Sequence, residues 1–457
     1  MHSIWAIAVN TLKQAIRIRV AVVFIVLLAV LLPVLGFSAT GDGTVKGRLQ
    51  TFVSYGLSLT SLLLCLLTVA VSVYTLTSDI RQKQIYTVLT KPVRRVQLLA
   101  GKLLGVILLD ALLLSIFAAV IYAIVVYTPA LCGVSAEQKQ SLNDEFFTAR
   151  ASLKPLQADV TEQVRKAYER LKQSGRLDEL FQGASEKKII EQLTKQHQLQ
   201  ARSAAPGQEL IWEFENVRPA EPNQNLYLRF KYDVSVNPPD FKVYGWWRVG
   251  DLRQINYGLP VRTPIREYRG RDLIRTAHEV EFSSDVVADD GYLAVAFRNV
   301  PLNNTTIIFG LDDGLEILYK ADSFTANYLR AVLLIFFRLV FLAVLGLLAG
   351  SFLSFPVALL LCVVVFFTAN FSSFILDSFS YLSDNVGAIY SYSFKPIMLA
   401  LPRFDRYDVA GCMIAGRLLS WQAVARTAGI MLGIKALLLL AFSVLIFGYR
   451  EVAKVTV

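Results

Sequence analysis

The chain has 457 residues, of which 54% are hydrophobic and 18% are charged, and its mean hydropathy is +0.47. This composition is too apolar for a soluble enzyme and indicates a membrane protein whose charged residues are concentrated in one part of the chain. The net charge of +10 is compatible with nucleic-acid binding, but much of it flanks apolar segments, where it sets membrane orientation. Four widely spaced cysteines without a CxxC exclude a disulfide scaffold and a zinc ribbon, and three scattered histidines indicate no metal site.

The chain begins with an amphipathic segment. Ile4, Ala8 and Leu12 fall on one helical face and Lys13 on another, which predicts a helix lying along the membrane surface. The apolar run that follows, 20–37, has an alternative interpretation as a cleaved signal peptide, because "GFSAT" supplies small residues. The long patterned segment ahead of it favours a retained span.

Six runs are long and apolar enough to cross a membrane, which takes about 20 residues. They are 20–37, 52–77, 103–127, 331–348, 355–371 and 430–447. A seventh run, 386–401, is interrupted by a Lys-Pro pair, and we interpret it as a broken re-entrant hairpin. The predicted fold is therefore an α-helical polytopic membrane protein, with membrane parts at 1–128 and 327–457.

Lysines and arginines in short loops predict the orientation. The segment 78–102, "SDIRQKQIYTVLTKPVRRVQLLAGK", carries six of them, and others precede the first span and follow the last. This segment and both termini are therefore predicted to be cytoplasmic, and residues 129–326 to be extracytoplasmic. Cys132 and Cys412 are then both outside, where a disulfide between them is one alternative.

Two predicted spans contain a charged residue. Asp110 lies in the third and Arg338 in the fourth, and an ionisable group inside a membrane is by default a functional hypothesis. We expect an Asp110–Arg338 pair or a shared polar network. A structural ion pair and a contact with a substrate both remain open.

The extracytoplasmic insertion is predicted to have two parts. Residues 129–205 are polar with helical spacing, which indicates a helical hairpin or a short coiled-coil stalk. Residues 206–326 alternate with period two and predict a β-sandwich. Its expected strands are "NLYLRFKYDVSV", "VYGWWRV", "HEVEFSS", "GYLAVAFRNV", "NNTTIIF" and "LEILY". "NNTT" matches a glycosylation acceptor but is more simply a turn.

An aromatic cluster in the predicted sandwich has two interpretations. Tyr244, Trp246 and Trp247 belong either to the core, with alternation sending the two tryptophans to opposite faces, or to a platform that stacks a sugar or another flat apolar ligand. The core is the simpler interpretation. The insertion shows no constellation that argues for catalysis.

Several stretches resemble the ABC-2 type permeases of ATP-binding cassette transporters, and most closely those of the copper-maturation and gliding-motility type. They are "IWAIAVNTLKQAIRIRV", "SDIRQKQIYTVLTKPVRRVQLLAGKLLG", "LGLLAGSFLSFPVALLL", "LPRFDRYD" and "FGYREV". The first is similar to the elbow helix of that family, and the second to its loop between spans two and three. The large insertion departs from the minimal family pattern.

The resemblance implies that this loop forms a coupling helix that rests in a cleft of a cytoplasmic ATPase subunit. The residues suit that role: an acid at a helix start, an apolar face with helical spacing and a polar rim. These docking residues are Asp79, Arg81, Lys83, Ile85, Val88 and Leu89. Lys91-Pro92 would end the helix, and Arg94, Arg95 and Lys102 would anchor the chain at lipid headgroups. A basic surface loop without a partner is the alternative.

The resemblance further implies a permease subunit without catalytic residues or cofactors of its own. The sequence contains no G-x-x-x-x-G-K-[ST], so ATP would be hydrolysed by a separate chain. A homodimer or a second permease subunit would complete the pathway, with membrane lipids around it and no nucleic acid. The alternative function is a membrane-anchored receptor or scaffold whose outer sandwich binds a carbohydrate or a protein. The substrate and the direction of transport do not follow from the sequence.

Overall fold

The computed structural model describes residues 2–82, 94–156, 158–177, 181, 186–217, 224–311, 313–380, 393–405 and 408–449. The chain divides into two compact units, each with its own core. We call residues 1–147 together with 323–457 the membrane unit, and residues 148–322 the inserted unit. The membrane unit is mostly helical, and the described strands belong almost entirely to the inserted unit.

The described helices of the membrane unit are α1 (His2–Arg17), α2 (Arg19–Ser38), α3 (Val45–Arg81), α4 (Arg95–Leu131), α5 (Ala136–Glu145), α9 (Phe324–Phe352), α10 (Phe355–Asn370), α11 (Ser372–Ser380), α12 (393–400), α13 (Val409–Ile414) and α14 (Trp421–Tyr449). The middle of α14, Gly429–Ala436, is π-helical. The inserted unit contributes α6 (Thr161–Gln173), α7 (Glu186–Ala201) and the short α8 (Arg253–Asn256).

Five of the described helices, α2, α3, α4, α9 and α14, are long and apolar enough to cross a membrane. The chain is therefore a multi-pass membrane protein, and each of these helices contains one predicted span. The remaining predicted span, 355–371, falls on α10, which has only 16 residues, fewer than the roughly 20 that a perpendicular span requires. A count of six is thus not confirmed. Part of the predicted re-entrant hairpin, 386–392, lies outside the described residues.

The closest helix packing in the membrane unit involves pairs of glycines four residues apart. A Cβ at Gly105 of α4 would lie 2.6 Å from the carbonyl oxygen of Ala8 on α1, and one at Gly101 would also overlap α1. On α9, a Cβ at Gly346 would overlap the side chain of Ser72 on α3, and one at Gly350 would lie 3.4 Å from the carbonyl oxygen of Val73. Small residues four positions apart let two helices approach closely. Close packing matters inside a membrane because no hydrophobic effect drives helices together there.

The strands of the inserted unit are β1 (Thr148–Leu153), β2 (Ser203–Ala204), β3 (Glu209–Phe214), β4 (Asn225–Phe230), β5 (Tyr232–Val234), β6 (Lys242–Gly250), β7 (Arg266–Leu273), β8 (His278–Ser283), β9 (Leu293–Asn299), β10 (Ile307–Phe309) and β11 (Leu315–Ser323). They form three sheets with the orders β1-β11-β4-β8, β2-β10-β5 and β3-β9-β6-β7.

The three sheets share one hydrophobic core rich in aromatic rings. The core side chain of Trp247 on β6 contacts rings from all three sheets, with centroids 4.4 Å from Phe230, 4.6 Å from Phe297 and 5.8 Å from Phe309. Each such ring buries a large apolar area, so this cluster supplies much of the stability of the unit. A separate small core joins α6 and α7 through Val160, Val164, Ile189 and Leu193.

Candidate functional site

One end of the membrane unit carries both ends of the predicted coupling loop. The described part of α3 ends at Arg81, and α4 begins at Arg95. The residues between them, 83–93, lie outside the described residues, and with them Lys83, Ile85, Val88 and Leu89. We call the surrounding region the loop-bearing end. It comprises α1, the last turns of α3, the first turns of α4 and the last turn of α14.

A buried ion pair joins α3 to α4 at the loop-bearing end. Lys102 Nζ lies 2.5 Å from Asp79 Oδ2 and donates a second hydrogen bond to the carbonyl oxygen of Thr75, at 2.8 Å. Gln14 of α1 donates to the other oxygen of Asp79 at 3.4 Å. The lysine side chain is only 2% exposed. A fully satisfied pair of this kind fixes three helices in one arrangement, because removing either partner leaves an uncompensated buried charge.

This geometry corrects two sequence-based expectations. Asp79 does not begin a new helix, because α3 continues to Arg81 and the carboxylate points to Lys102 instead of capping the loop. Lys102 does not lie at lipid headgroups, because it is buried in the pair. Arg81 is exposed beside the loop, as a rim residue should be. Its docking role, like that of the residues outside the description, stays a prediction.

Arg95 connects the same end to the last helix. Its Nη1 donates to the carbonyl oxygens of Phe447 at 2.8 Å and of Gly448 at 2.7 Å, both in the last turn of α14. A cation is favoured there because the carboxyl end of a helix presents unpaired carbonyl groups with partial negative charge. The side chain thus caps a helix, a role different from the lipid anchor that the sequence predicted.

Behind these polar contacts lies a small apolar cluster drawn from five helices. Its buried members come from four of them and are Leu76, Leu98, Leu99, Leu347 and Phe447, and Ile7 of α1 packs against these. Next to it, a cavity of about 700 Å³ opens between the end of α3 and the turn that joins α9 to α10, with Tyr74, Arg81 and Phe355 among its lining residues. The loop-bearing end therefore has both a buried apolar core and an adjacent recess.

A second cavity, of about 420 Å³, lies deeper in the membrane unit. Helices α3, α9 and α10 line it together with residues 404, 405 and 408–410, and Arg338 is part of its wall together with Asp405 and Asp408. Arg338 Nη2 donates to the carbonyl oxygen of Phe404 at 2.6 Å. Asp405 accepts from the hydroxyl of Ser372 at 2.9 Å, at the start of α11. These groups join the broken segment before α14 to the long helices.

Asp110 and Arg338 both lie inside membrane-crossing helices, but they do not form the expected direct pair. Asp110 Oδ1 lies 2.8 Å from the hydroxyl of Thr68 on α3, whereas Arg338 reaches Phe404. The two side chains thus bond to different partners, and a contact of either with a substrate remains a prediction.

The proposed aromatic platform is only partly accessible. Trp247 is fully buried in the core, so it cannot stack a ligand. Trp246 points to the other face of β6, where Arg269 and Arg298 from the neighbouring strands lie 4.6 Å and 5.8 Å from its ring centroid. Arg271 lies 5.2 Å from the ring of Tyr244. Arginines of the chain therefore already contact the rings that a sugar would need.

Two carboxylates of the inserted unit should give pH effects of opposite sign. Burial raises the pKa of Asp272, so the fold binds its proton more tightly than the unfolded chain does and loses stability as pH rises through the folded pKa. A hydrogen bond from Arg253 lowers the pKa of Asp290, so its contribution is present at neutral pH and is lost as pH falls through the folded pKa.

We therefore expect Asp272→Asn to raise the unfolding temperature of the full-length protein at neutral pH, with the gain vanishing in acid. Asp290→Asn should lower the unfolding temperature at neutral pH, with the loss vanishing in acid. Thermal unfolding over a pH series measures both. Equal shifts of the same sign would contradict this assignment.

Sequence reasoning missed the glycines that seat α1 on α4. Their G-x-x-x-G spacing, Gly101 to Gly105, was available as a signal for close helix approach.

The described cysteines are free, so no disulfide joins Cys132 to Cys412. Among the described residues, no group of three histidine, cysteine, aspartate or glutamate side chains is placed to hold a metal ion.

Comparison with known proteins adds one finding. The family described as ABC-2 family transporter protein matches residues 5–141, which include α1, α2, α3, α4 and the loop between the last two. No curated protein and no solved structure matches the chain. The match is to the family as a whole and does not separate the copper-maturation or gliding-motility type from other members. Residues 5–141, which carry the loop between α3 and α4, are therefore similar to the ABC-2 family of transporter proteins.

Proposed function

We propose that the chain is a permease subunit driven by a separate cytoplasmic ATP-binding cassette ATPase. Hydrolysis by that partner would be coupled to substrate export or to force transmission across the inner membrane. One observation carries the proposal: the helix before the loop and the helix after it are joined by the buried Asp79–Lys102 pair. A force applied to the loop would therefore be transmitted to both α3 and α4.

Two further contacts at the loop-bearing end would transmit this force to other helices. Gln14 links α1 to the ion pair, and Arg95 links α4 to the last turn of α14. Packed elements with discrete arrangements respond to a local displacement by moving as bodies rather than by deforming continuously. The loop would thus act on four helices of the membrane unit without chemistry of its own.

The remaining parts of the proposal concern topology and assembly. Both termini would be cytoplasmic and residues 129–326 extracytoplasmic, with a stalk at 129–205 and a β-sandwich at 206–326. The sheets that share one aromatic core support a layered β domain. A second permease subunit would complete the pathway, and lipids would cover the apolar surfaces of helices such as α2 and α10, which leave many side chains exposed.

The proposal is tested by asking whether an ATPase co-purifies with the chain from native membranes. Changing Ile85, Val88 and Leu89 together to aspartate should reduce the bound ATPase at least tenfold. The reason is that each buried aliphatic side chain contributes about 1.5–3 kcal/mol to an interface, and 1.4 kcal/mol is already a factor of ten. The amount of ATPase per permease on a calibrated gel gives the ratio.

A matched control uses three exposed apolar residues of the inserted unit. Tyr257, Leu259 and Val261 are 76%, 47% and 83% exposed, so changing them to aspartate adds the same charge elsewhere. This control should retain the ATPase. Retention by the loop variant would refute the docking surface, and absence of any ATPase from the wild type would favour the receptor or scaffold instead.

A further inference from the structure

A stripe of small polar side chains runs along one face of α3. Its members recur at alternating steps of four and three residues: Ser54, Ser58, Ser61, Cys65, Thr68, Ser72, Thr75 and Asp79. At 1.5 Å per residue the stripe is about 38 Å long, more than the hydrocarbon core of a bilayer. It runs from the cavity beside Arg338, which Ser58 and Ser61 line, to the loop-bearing end.

Asp110 of α4 reaches the middle of this stripe. Its side chain is fully buried, with Oδ1 2.8 Å from the hydroxyl oxygen of Thr68. Its second oxygen, Oδ2, is buried and has no hydrogen-bond partner. An ionised carboxylate accepts hydrogen bonds at both oxygens, and leaving one unpaired in a dry interior is costly.

The hydroxyl of Thr68 lies within hydrogen-bond distance of two oxygen atoms. Its oxygen is 2.8 Å from the carbonyl oxygen of Leu64, the usual bond of a helical threonine, and also 2.8 Å from Asp110 Oδ1. A hydroxyl has one proton and can donate only one of these bonds. When the hydroxyl donates to Leu64, the contact with Asp110 is a hydrogen bond only if the carboxyl group donates in return. Together with the unpartnered Oδ2, this arrangement is compatible with a neutral carboxylic acid.

The surroundings supply no charge that would stabilise the ionised form. Among the described residues, no lysine, arginine or histidine lies within 4.0 Å of Asp110 on any neighbouring helix. On α3 the nearby titratable group is the buried thiol of Cys65, and beyond it on α9 lies Arg338, bonded to Phe404. On α4 itself, Lys102 is two turns away and paired with Asp79.

We propose that Asp110 is a proton-binding site of the transport cycle, an inference that rests on the proposed function. In the arrangement described here, the carboxyl group is neutral and donates to Thr68, which joins α3 to α4. When a change in the packing of α3 against α4 during the cycle admits water to Asp110, the O–H bond of the carboxyl breaks and its proton passes to a water molecule. When α3 and α4 pack together again, the Asp110 carboxylate takes a proton back from water.

Infrared spectroscopy of the purified full-length protein tests the protonation directly. A protonated carboxyl group has a carbonyl stretching band that an ionised carboxylate lacks. We expect this band at neutral pH in the wild type, its loss in Asp110→Asn, and a shift of its frequency in Thr68→Val, where the hydrogen-bond partner is removed. The threonine variant keeps the test decisive if Asp110→Asn does not fold. Absence of a band that responds to either variant would overturn the proposal.

The role in the cycle is tested on the complex with its co-purified ATPase. ATP turnover of the wild type should depend on pH, and Asp110→Asn, which is permanently neutral, should abolish that dependence and slow turnover at least tenfold. Unchanged turnover and pH profile would restrict Asp110 to a structural role and refute the proton site of the cycle. Because the infrared band requires no ATPase, failure of this inference can be distinguished from failure of the proposed function.

Discussion

Replacing Gly105 with leucine should lower the free energy of unfolding of the membrane unit by about 3 kcal/mol, the upper end of what overpacking costs. The added side chain would collide with the carbonyl oxygen of Ala8, only 2.6 Å from the Cβ position. That atom belongs to the backbone of α1 and cannot rotate away. The amount of folded protein and its unfolding temperature in detergent measure the effect.

Gly433 provides the matched control, because a Cβ there would meet no atom within 4 Å. It lies on the exposed side of α14, another membrane-crossing helix. Gly433→Leu should leave the unfolding temperature unchanged or slightly raised, since glycine is a poor helix former. If both variants behaved alike, close packing between α1 and α4 would not be the cause.

The second large effect is expected from Lys102→Met. This change leaves the carboxylate of Asp79, only 16% exposed, without its cation. Breaking one partner of a buried ion pair typically costs about 3–5 kcal/mol. The double variant Lys102→Met with Asp79→Leu should recover most of that loss, because two apolar side chains of similar size replace the pair. Unfolding temperatures of the single and double variants give the coupling energy.

A surface ion pair of the same unit serves as the comparison. Lys46 pairs with Glu145 while 40% and 34% exposed, and such pairs contribute at most about 1 kcal/mol. Lys46→Met should therefore have a small effect that added salt removes. Additive losses in the Asp79 and Lys102 double variant would mean that the two residues act independently.

Much of the fold is readable from the sequence because the relevant signals are local. Apolar runs gave the membrane-crossing helices, and period-two alternation gave strands such as β6 and β9. An apolar run, however, indicates only the part of a helix that lies in the hydrocarbon region of the membrane. Helix α3 was expected from 52 to 77 but extends over Val45–Arg81, since its polar ends stay helical outside the hydrocarbon region.

The features that the sequence did not predict depend on contacts made only in the folded protein. Strand β7, "REYRGRDL", has almost no apolar residues, because it is the edge strand of its sheet and most of its side chains face outward. Strand β1 was interpreted as part of a helical stalk, because the residue that pairs with it lies over 160 positions away. The Asp79–Lys102 pair joins residues that the sequence separates by the whole loop, so both side chains looked like surface charges.

The contact of Arg95 with the end of α14 has a practical consequence for measuring motion. Because Arg95 binds main-chain oxygens, its bond depends little on which side chains occupy that turn. Tyr449, next to it, is 87% exposed and can carry a spectroscopic label. A label there would be fixed to the start of α4, and it would therefore report the movement of that helix during nucleotide turnover.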